Sequence, residues 1–293
     1  MIEKDIRNFN KQFAWEPILE NAGSLDKKPM TVVLGMGGSH LGADLLKCYD
    51  PQLDLVVHSN YGLPIEVKGS TLDLQKGRTL VIASSYSGNT EEVVDGLNQA
   101  LEKGLAAAVI ASGGKLLEIA QEKGLPYIEL PVGHQPRMTI GFQIKALAKL
   151  LGRQDILDEA RGLTERLNPS EFEEMGKMLA EKLSGKIPVI YASEANRALT
   201  YIWKAKFHET AKIPAFYNVF PELNHNEMIG FDPQSQIFHF LLLTDQQDHP
   251  RIKRRMEVFT KLFEEKGFPV ETIELAGEGR LFRLFSSIIL ADW

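Results

Sequence analysis

The feature that most constrains this chain is its regular alternation of short β-branched runs with longer segments of helical periodicity. The runs at 31–35 (TVVLG), 53–57, 79–83, 107–111 and 127–130 place apolar residues at consecutive positions, the pattern of strands covered on both faces. Between them, NTEEVVDGLNQALEKG from Asn89 puts Val93, Val94, Leu97 and Leu101 on one helical face and ends at Gly104. Alternating strands and helices bury both faces of a sheet when the strands run parallel with helices packed above and below, so the expected fold is α/β and doubly wound.

From Pro136 to about Leu183 the strand signal stops, and a charge-rich helical text punctuated by Gly152 and Asn168-Pro169 reads as a helical connector between two lobes. Strands resume at 188–192, 215–220, 237–243 and 270–275, with helices around 196–211 and 250–266. The expected division is a first lobe over 1–150, then connector and second lobe over 151–293. The second lobe repeats the α/β logic of the first without a clear residue-level repeat. A length of 293 residues suits two domains better than one oversized core.

Composition enters through what it excludes. Hydrophobic residues at 44% and charged ones at 25% rule out disorder and fibre. With 33 basic and 39 acidic residues, a net charge of −6, the chain offers no overall attraction to nucleic acid or anionic lipid, so an anionic ligand must be held locally. Cys48, the one cysteine, cannot form an internal disulfide, and MIEKDIRNFNKQFAWEP lacks the apolar core of a signal peptide, which makes the cytoplasm the expected location. No window approaches the roughly 18 apolar residues of a membrane span, so no membrane partner is expected.

Two loops carry the anion-binding signal. After the first strand, Gly35-Met36-Gly37-Gly38-Ser39 opens a helix expected to begin near His40. There a ligand would meet backbone N–H groups, the positive end of the helix dipole and the Ser39 hydroxyl. A tight structural turn is the plainer alternative. A dinucleotide site is not expected, because the third glycine of G-x-G-x-x-G falls at His40 and the second strand ends His58-Ser59-Asn60 without an acidic residue. After the third strand comes Ser84-Ser85-Tyr86-Ser87-Gly88-Asn89-Thr90, whose hydroxyls could hold a phosphate dianion without a lysine. The alternative is a helix capped by Ser87 or Asn89 with nothing bound. The first and third strands of an open sheet deliver both loops to the same carboxyl-end edge, and two converging turns suit one phosphate ester.

Further candidates follow in chain order. Arg137, in Gly133-His134-Gln135-Pro136-Arg137, would add positive charge at that edge, or be an ordinary solvated arginine. Phe207-His208-Glu209-Thr210-Ala211-Lys212 approaches a zinc-protease helix until Lys212 stands where a second histidine is required, so no metal site is expected. Glu209 could be a general base or simply pair with Lys212. In the polar loop Pro221-Glu222-Leu223-Asn224-His225-Asn226-Glu227, His225 could move protons near neutrality or be merely exposed. The other histidines lack metal-ligand spacing, and no cofactor is expected.

Taken in order, GMGGSHLG, SSYSGNTEE, HQPR, KFHETAK and PELNHNE resemble the bifunctional phosphoglucose/phosphomannose isomerase family of sugar isomerase (SIS) domain proteins, over about residues 31–231. The resemblance implies two SIS-like lobes and an aldose–ketose isomerase that connects glucose 6-phosphate and mannose 6-phosphate with fructose 6-phosphate through an enediol. It implies phosphate binding by Ser39, Ser85, Ser87 and Thr90 beside Gly38. It also implies that Arg137 stabilises the enediolate, that Glu209 moves the proton between C1 and C2, and that His225 assists ring opening from the other subunit of a homodimer. A sugar phosphate is the implied partner, and carbohydrate metabolism, glycolysis and gluconeogenesis the implied setting.

The family pattern continues past Ser286-Ser287-Ile288-Ile289-Leu290-Ala291-Asp292-Trp293 to a helix with a lysine implicated in ring opening. The expectation for this sequence is that His225 carries that step and that cyclic sugars turn over slowly. The alternatives are a sugar-phosphate-binding SIS protein with little or no turnover, and an isomerase of another sugar phosphate. A SIS regulator would need a basic helix-turn-helix region, and an amidotransferase an N-terminal cysteine where this sequence reads Met1-Ile2-Glu3.

Overall fold

In the computed structural model, which describes residues 2–64, 74, 77–232 and 237–293, every run read as a strand forms one, within a few residues at either end. The chain divides into two compact units. One spans Asn8–Arg166; the other joins Leu167–Trp293 to the short helix α1 (Ile2–Arg7).

The Asn8–Arg166 unit holds β1 (Met30–Leu34), α2 (Leu41–Tyr49), β2 (Leu55–His58), β3 (Thr79–Ser85), α3 (Glu91–Glu102), β4 (Ala106–Ala111), α4 (Gly114–Lys123) and β5 (Tyr127–Glu129), followed by α5 (Ile140–Leu151) and α6 (Gln154–Arg166). Its strands are all parallel, in the order β2-β1-β3-β4-β5. Every residue of β1 and β3 is buried, which is why their sequence is apolar at consecutive positions. The expectation of burial on both faces fails at β2 and β5. Both are edge strands, and most of their residues are only partly covered. Val32, Leu34, Val81 and Val109 of the sheet meet Val93 and Leu97 of α3 and Leu116 and Ala120 of α4 in one apolar cluster. At about 25 cal/mol per Å² of apolar surface, such burial is the main driving force for forming this layer.

The unit ends later than residue 150. Gly152, at φ 70°, closes α5, and α6 then folds back within the same unit. Asn10 Nδ2 donates to Thr164 O at 2.8 Å, and Glu16 accepts from Arg161 Nε at 3.1 Å and from the buried Lys145 Nζ at 3.2 Å. The helical text after 150 is therefore shared between the two units, with the division at Arg166.

The second unit contains α7 (Glu173–Leu183), β6 (Ile187–Ser193), α8 (Arg197–Lys206), β7 (Phe216–Phe220), β8 (Phe238–Asp245), α9 (Pro250–Glu265), β9 (Val270–Leu275) and α10 (Arg280–Asp292). Its parallel sheet has the order β7-β6-β8-β9, which repeats the β2-β1-β3-β4 pattern of the first unit. Aromatic residues fill its core, with Phe240 and Phe263 rings 4.8 Å apart at 80° and Tyr191 5.4 Å from Phe259 at 78°. On the other side of the sheet α8 is bonded to α10. Trp203 Nε1 donates to Ser287 Oγ at 3.0 Å, and Lys206 Nζ pairs with Asp292 at 2.5 Å, both side chains fully buried. Removing one member of such a pair leaves an uncompensated buried charge, which costs about 3–5 kcal/mol. No described helix is long and apolar enough to cross a membrane.

Candidate active site

In the first unit the chain leaves β1 for β2 on one side of the sheet, and β3 lies on the other side. The crevice outside the carboxyl ends of β1 and β3 is therefore a topological switch point, where open α/β sheets bind ligands. Leu34 pairs with Ala83 at this edge, so Gly35–Ser39 and Ser84–Thr90 emerge side by side. The two loops are bonded to each other. Ser84 Oγ donates to Ser39 O at 2.8 Å, and Ser39 Oγ accepts the Tyr86 N–H at 3.0 Å.

Within the second loop, Ser85 Oγ lies 2.7 Å from Thr90 Oγ1 and 3.5 Å from Ser87 Oγ, and accepts the Gly88 N–H at 3.2 Å. The three hydroxyls thus form one connected cluster at the start of α3. Ser39 and Ser85 are buried, Thr90 is half-buried and Ser87 is exposed. Gly88 has φ 70°, and a Cβ there would lie 1.8 Å from Gly113 O, so no other residue fits between this loop and the one after β4. The plainer alternative, a helix capped by Ser87 or Asn89, does not hold, since neither is the α3 N-cap. Thr90 takes that position without a side-chain cap bond, its hydroxyl being engaged by Ser85. Asn89 instead accepts the Lys115 N–H at 3.0 Å, bracing α4. The first loop also differs slightly from expectation, since Gly37–Ser39 is a 3-10 turn and α2 starts at Leu41, after His40.

Gly38 and Arg137 are neighbours. A Cβ on Gly38 would sit 2.8 Å from Arg137 N, which means the missing side chain is what admits the Arg137 backbone to the cradle. Pro136–Met138 forms a single 3-10 turn with proline in its first positions, ahead of α5, so Arg137 precedes the helix rather than lying in its first turn. Gln143 locks this arrangement by donating to Gly38 O at 2.8 Å and accepting the Gly42 N–H at 3.0 Å. Six of the predicted site residues, Gly38, Ser39, Ser85, Ser87, Thr90 and Arg137, are thereby brought together at one edge of one unit.

Glu209 and His225 belong to the other unit. Glu209 is half-buried on a π-helical turn, Phe207–Ala211, that continues α8 and closes at Lys212 with φ 60°. Such widened turns recur at functional sites because the extra residue re-aims a side chain. His208 fixes the turn, its Nε2 accepting the Ala215 N–H at 3.0 Å. His225 is exposed at the end of the 3-10 turn Glu222–His225 after β7. Glu227, two residues on, accepts from Tyr191 Oη at 2.5 Å and from Asn218 Nδ2. Burial, and then the Glu227 carboxylate, push the Tyr191 phenol well above its ordinary range.

The carboxyl edge of the second sheet, equivalent by strand order to the cradle, is filled differently. Ser193 Oγ donates to Asp248 at 2.5 Å, Asp248 accepts the Asp245 N–H at 2.8 Å, and Asp245 receives Arg280 at 2.5 Å and Arg283 at 3.3 Å. At this edge the donors Ser193, Arg280 and Arg283 are taken up by carboxylates of the chain itself. Among the described residues, no group of three or more His, Cys, Asp or Glu is gathered so as to hold a metal ion.

Sequence reasoning missed Tyr86, whose hydroxyl donates to Pro131 O at 3.0 Å and accepts the His134 N–H at 2.9 Å, tying the serine loop to the Arg137 segment. It also missed Gln143, and the anchoring role of Glu227 inside a motif it had singled out.

Comparison with known proteins places the chain in a family. Residues 172–293 match the bacterial phospho-glucose isomerase C-terminal SIS domain, which makes the second unit a SIS domain. A bifunctional phosphoglucose/phosphomannose isomerase of Aquifex aeolicus is 34% identical over all of this chain and 90% of its own length. One from Caldicellulosiruptor bescii is 36% identical over 93% of this chain and 83% of its own. A D-glucosamine-6-phosphate 4-epimerase of Sulfolobus acidocaldarius is 30% identical over 81% of this chain and 76% of its own. In fold, the chain is similar to the tagatose-6-phosphate ketose/aldose isomerase of Escherichia coli, with a TM-score of 0.68 at 15% identity over 99% of this chain and 90% of that one. The chain belongs to the bifunctional phosphoglucose/phosphomannose isomerase family.

Proposed function

We propose that this chain is an aldose–ketose isomerase that interconverts glucose 6-phosphate and mannose 6-phosphate with fructose 6-phosphate through a shared enediol. The observation that carries the reading is the hydroxyl cradle at the β1/β3 switch point, with Arg137 admitted beside it by Gly38, in a chain of this family. Phosphate is held by Ser39, Ser85, Ser87 and Thr90 and the backbone at Gly38. Neutral donors and helix N-termini suit a dianion here without a lysine.

The chemistry then needs a base and a cation. A proton on carbon next to a carbonyl is weakly acidic, so Glu209 removes it from C2 of the aldose while the Arg137 guanidinium faces the developing enediolate. Glu209 returns the proton to C1 and the ketose forms. Glucose and mannose phosphates differ only at C2 and lose that difference in the enediol, so one site serves both. Hexose phosphates are mostly cyclic, and His225 transfers the protons that open the ring. In this reading the site is completed in a cytoplasmic homodimer, with His225 supplied across the interface. It draws on the same fructose 6-phosphate pool as glycolysis and gluconeogenesis.

The test is a coupled assay of purified protein with all three hexose phosphates, run with binding measurements on the same compounds. Interconversion of the three is the expected result. Binding without turnover would make the protein a sugar-phosphate binder, and inversion at C4 in place of C1/C2 isomerisation would reassign its chemistry.

A further inference from the structure

An imidazole transfers protons efficiently only when it is held at one point, and His225 is exposed on a short 3-10 turn. What holds it must lie in its neighbours. On the amino side, Leu223 is fully buried in the aromatic core, and Asn224 Oδ1 accepts from Arg255 Nη1 of α9 at 3.0 Å. On the carboxyl side, Glu227 turns back over the sheet. One of its oxygens accepts from Tyr191 Oη of β6 and the other from Asn218 Nδ2 of β7. Tyr191 is itself fully buried, so this anchor reaches into the rigid centre of the unit.

The choice of residue is informative. Closing a loop onto a sheet can be done by an apolar side chain, as Leu223 does, at no desolvation cost. A half-buried carboxylate with a neutral donor on each oxygen gives charge-assisted bonds of defined direction, which fix orientation as well as position. The anchor stands two residues from the histidine, close enough for its loss to be felt at the imidazole.

We propose that Glu227 is a positioning residue, whose carboxylate locks the 222–227 loop onto β6 and β7 so that His225 is held for ring opening. The inference rests on the ring-opening role assigned to His225 above. It predicts a defect confined to cyclic substrates, which a merely structural role would not give.

The experiment compares turnover of glucose 6-phosphate with that of an acyclic aldose phosphate that cannot close a ring. Glu227→Ala is expected to lower kcat on glucose 6-phosphate by about tenfold or more, with KM and acyclic turnover within about twofold of the wild type. Glu227→Gln, which keeps an acceptor for Tyr191, should recover most of the loss. The double variant His225→Ala/Glu227→Ala should be no slower than His225→Ala, because both changes remove the same step. Asn218→Ala and Tyr191→Phe, which each remove one donor, should show the same selective defect in weaker form and carry the test if Glu227→Ala does not fold.

The proposal is overturned if His225→Ala is selectively impaired on the cyclic sugar while the Glu227, Asn218 and Tyr191 variants keep the wild-type ratio of cyclic to acyclic turnover, or lose both equally. If His225→Ala itself opens glucose 6-phosphate at the wild-type rate, the ring-opening assignment fails, and the positioning role fails with it.

Discussion

Replacing Gly38 by alanine tests how the Arg137 segment is admitted to the cradle. The new Cβ would lie 2.8 Å from both Arg137 N and Pro136 C and 3.2 Å from Arg137 Cα, where ordinary contact begins at 3.4 Å. The obstacle is backbone, so no side chain can swing away, and the 136–137 peptide must retreat by about 0.6 Å. That retreat is resisted. Thr139 Oγ1 donates to Pro136 O at 2.7 Å, Gln143 spans Gly38 O and Thr139 Oγ1, and Met138 is fully buried. Overpacking of this kind costs about 1–3 kcal/mol. In a unit of this size that is a fall in melting temperature of about 2–12 °C. The displacement moves Arg137 off its position, and an error approaching 1 Å at a catalytic group can reduce turnover by up to about 100-fold. Thermal denaturation by circular dichroism and kcat on glucose 6-phosphate measure the two effects. Gly162→Ala is the control: it lies exposed within α6 with no atom within 4 Å of the added Cβ, and should stabilise by about 0.5–1 kcal/mol. If Gly38→Ala melts and turns over like the wild type while Gly162→Ala shifts as expected, the close approach of Gly38 and Arg137 is wrong.

Two further outcomes are expected. The double variant Ser87→Ala/Thr90→Ala should weaken binding of any sugar 6-phosphate by roughly 1–3 kcal/mol, the scale of hydrogen bonds to a charged group, as read by calorimetry; unchanged affinity would make the loop a structural cap. His239 is buried on β8, and burial, opposed by the Glu271 carboxylate, pushes its imidazole below the ordinary value of 6.5. The unfolded chain then binds a proton that the folded chain refuses. Stability is fully present above pH 6.5 and falls as the pH drops below it, by at most about 1.4 kcal/mol for each pH unit separating the two pKa values. Urea denaturation between pH 7.5 and 5 should show this loss in the wild type and a smaller one in His239→Gln; parallel profiles would refute it.

What the sequence reveals follows from how far apart the interacting residues are. β1 and β3 are legible because complete burial writes apolar residues at every position, and the loops after them are legible because glycine and hydroxyl residues cluster there. Partial cover at β2 and β5 is not, since an edge is defined by strand order rather than by the strand itself. The allegiance of α6 rests on bonds such as Asn10 to Thr164, and the carboxylate-filled edge on Asp245 meeting Arg280 and Arg283, contacts between distant positions with no local signature. The π-helical turn at Phe207–Ala211 keeps the apolar spacing of a helix almost unchanged, so periodicity reads 196–211 as one continuous element. Glu227 was visible as a polar residue in a polar loop, but its partners Tyr191 and Asn218 come from strands that sequence places without register.

The most direct test of the account is whether Glu209 moves the substrate proton. Wild-type protein incubated with glucose 6-phosphate in D2O should exchange the hydrogen at C2 for deuterium, followed by nuclear magnetic resonance. Glu209→Gln, which keeps the shape of the side chain but cannot act as base, should lose that exchange by a factor of about 100 or more while binding the sugar phosphate with nearly wild-type affinity. Exchange at the wild-type rate in Glu209→Gln, or loss of exchange together with loss of phosphate affinity and folding, would contradict the assignment.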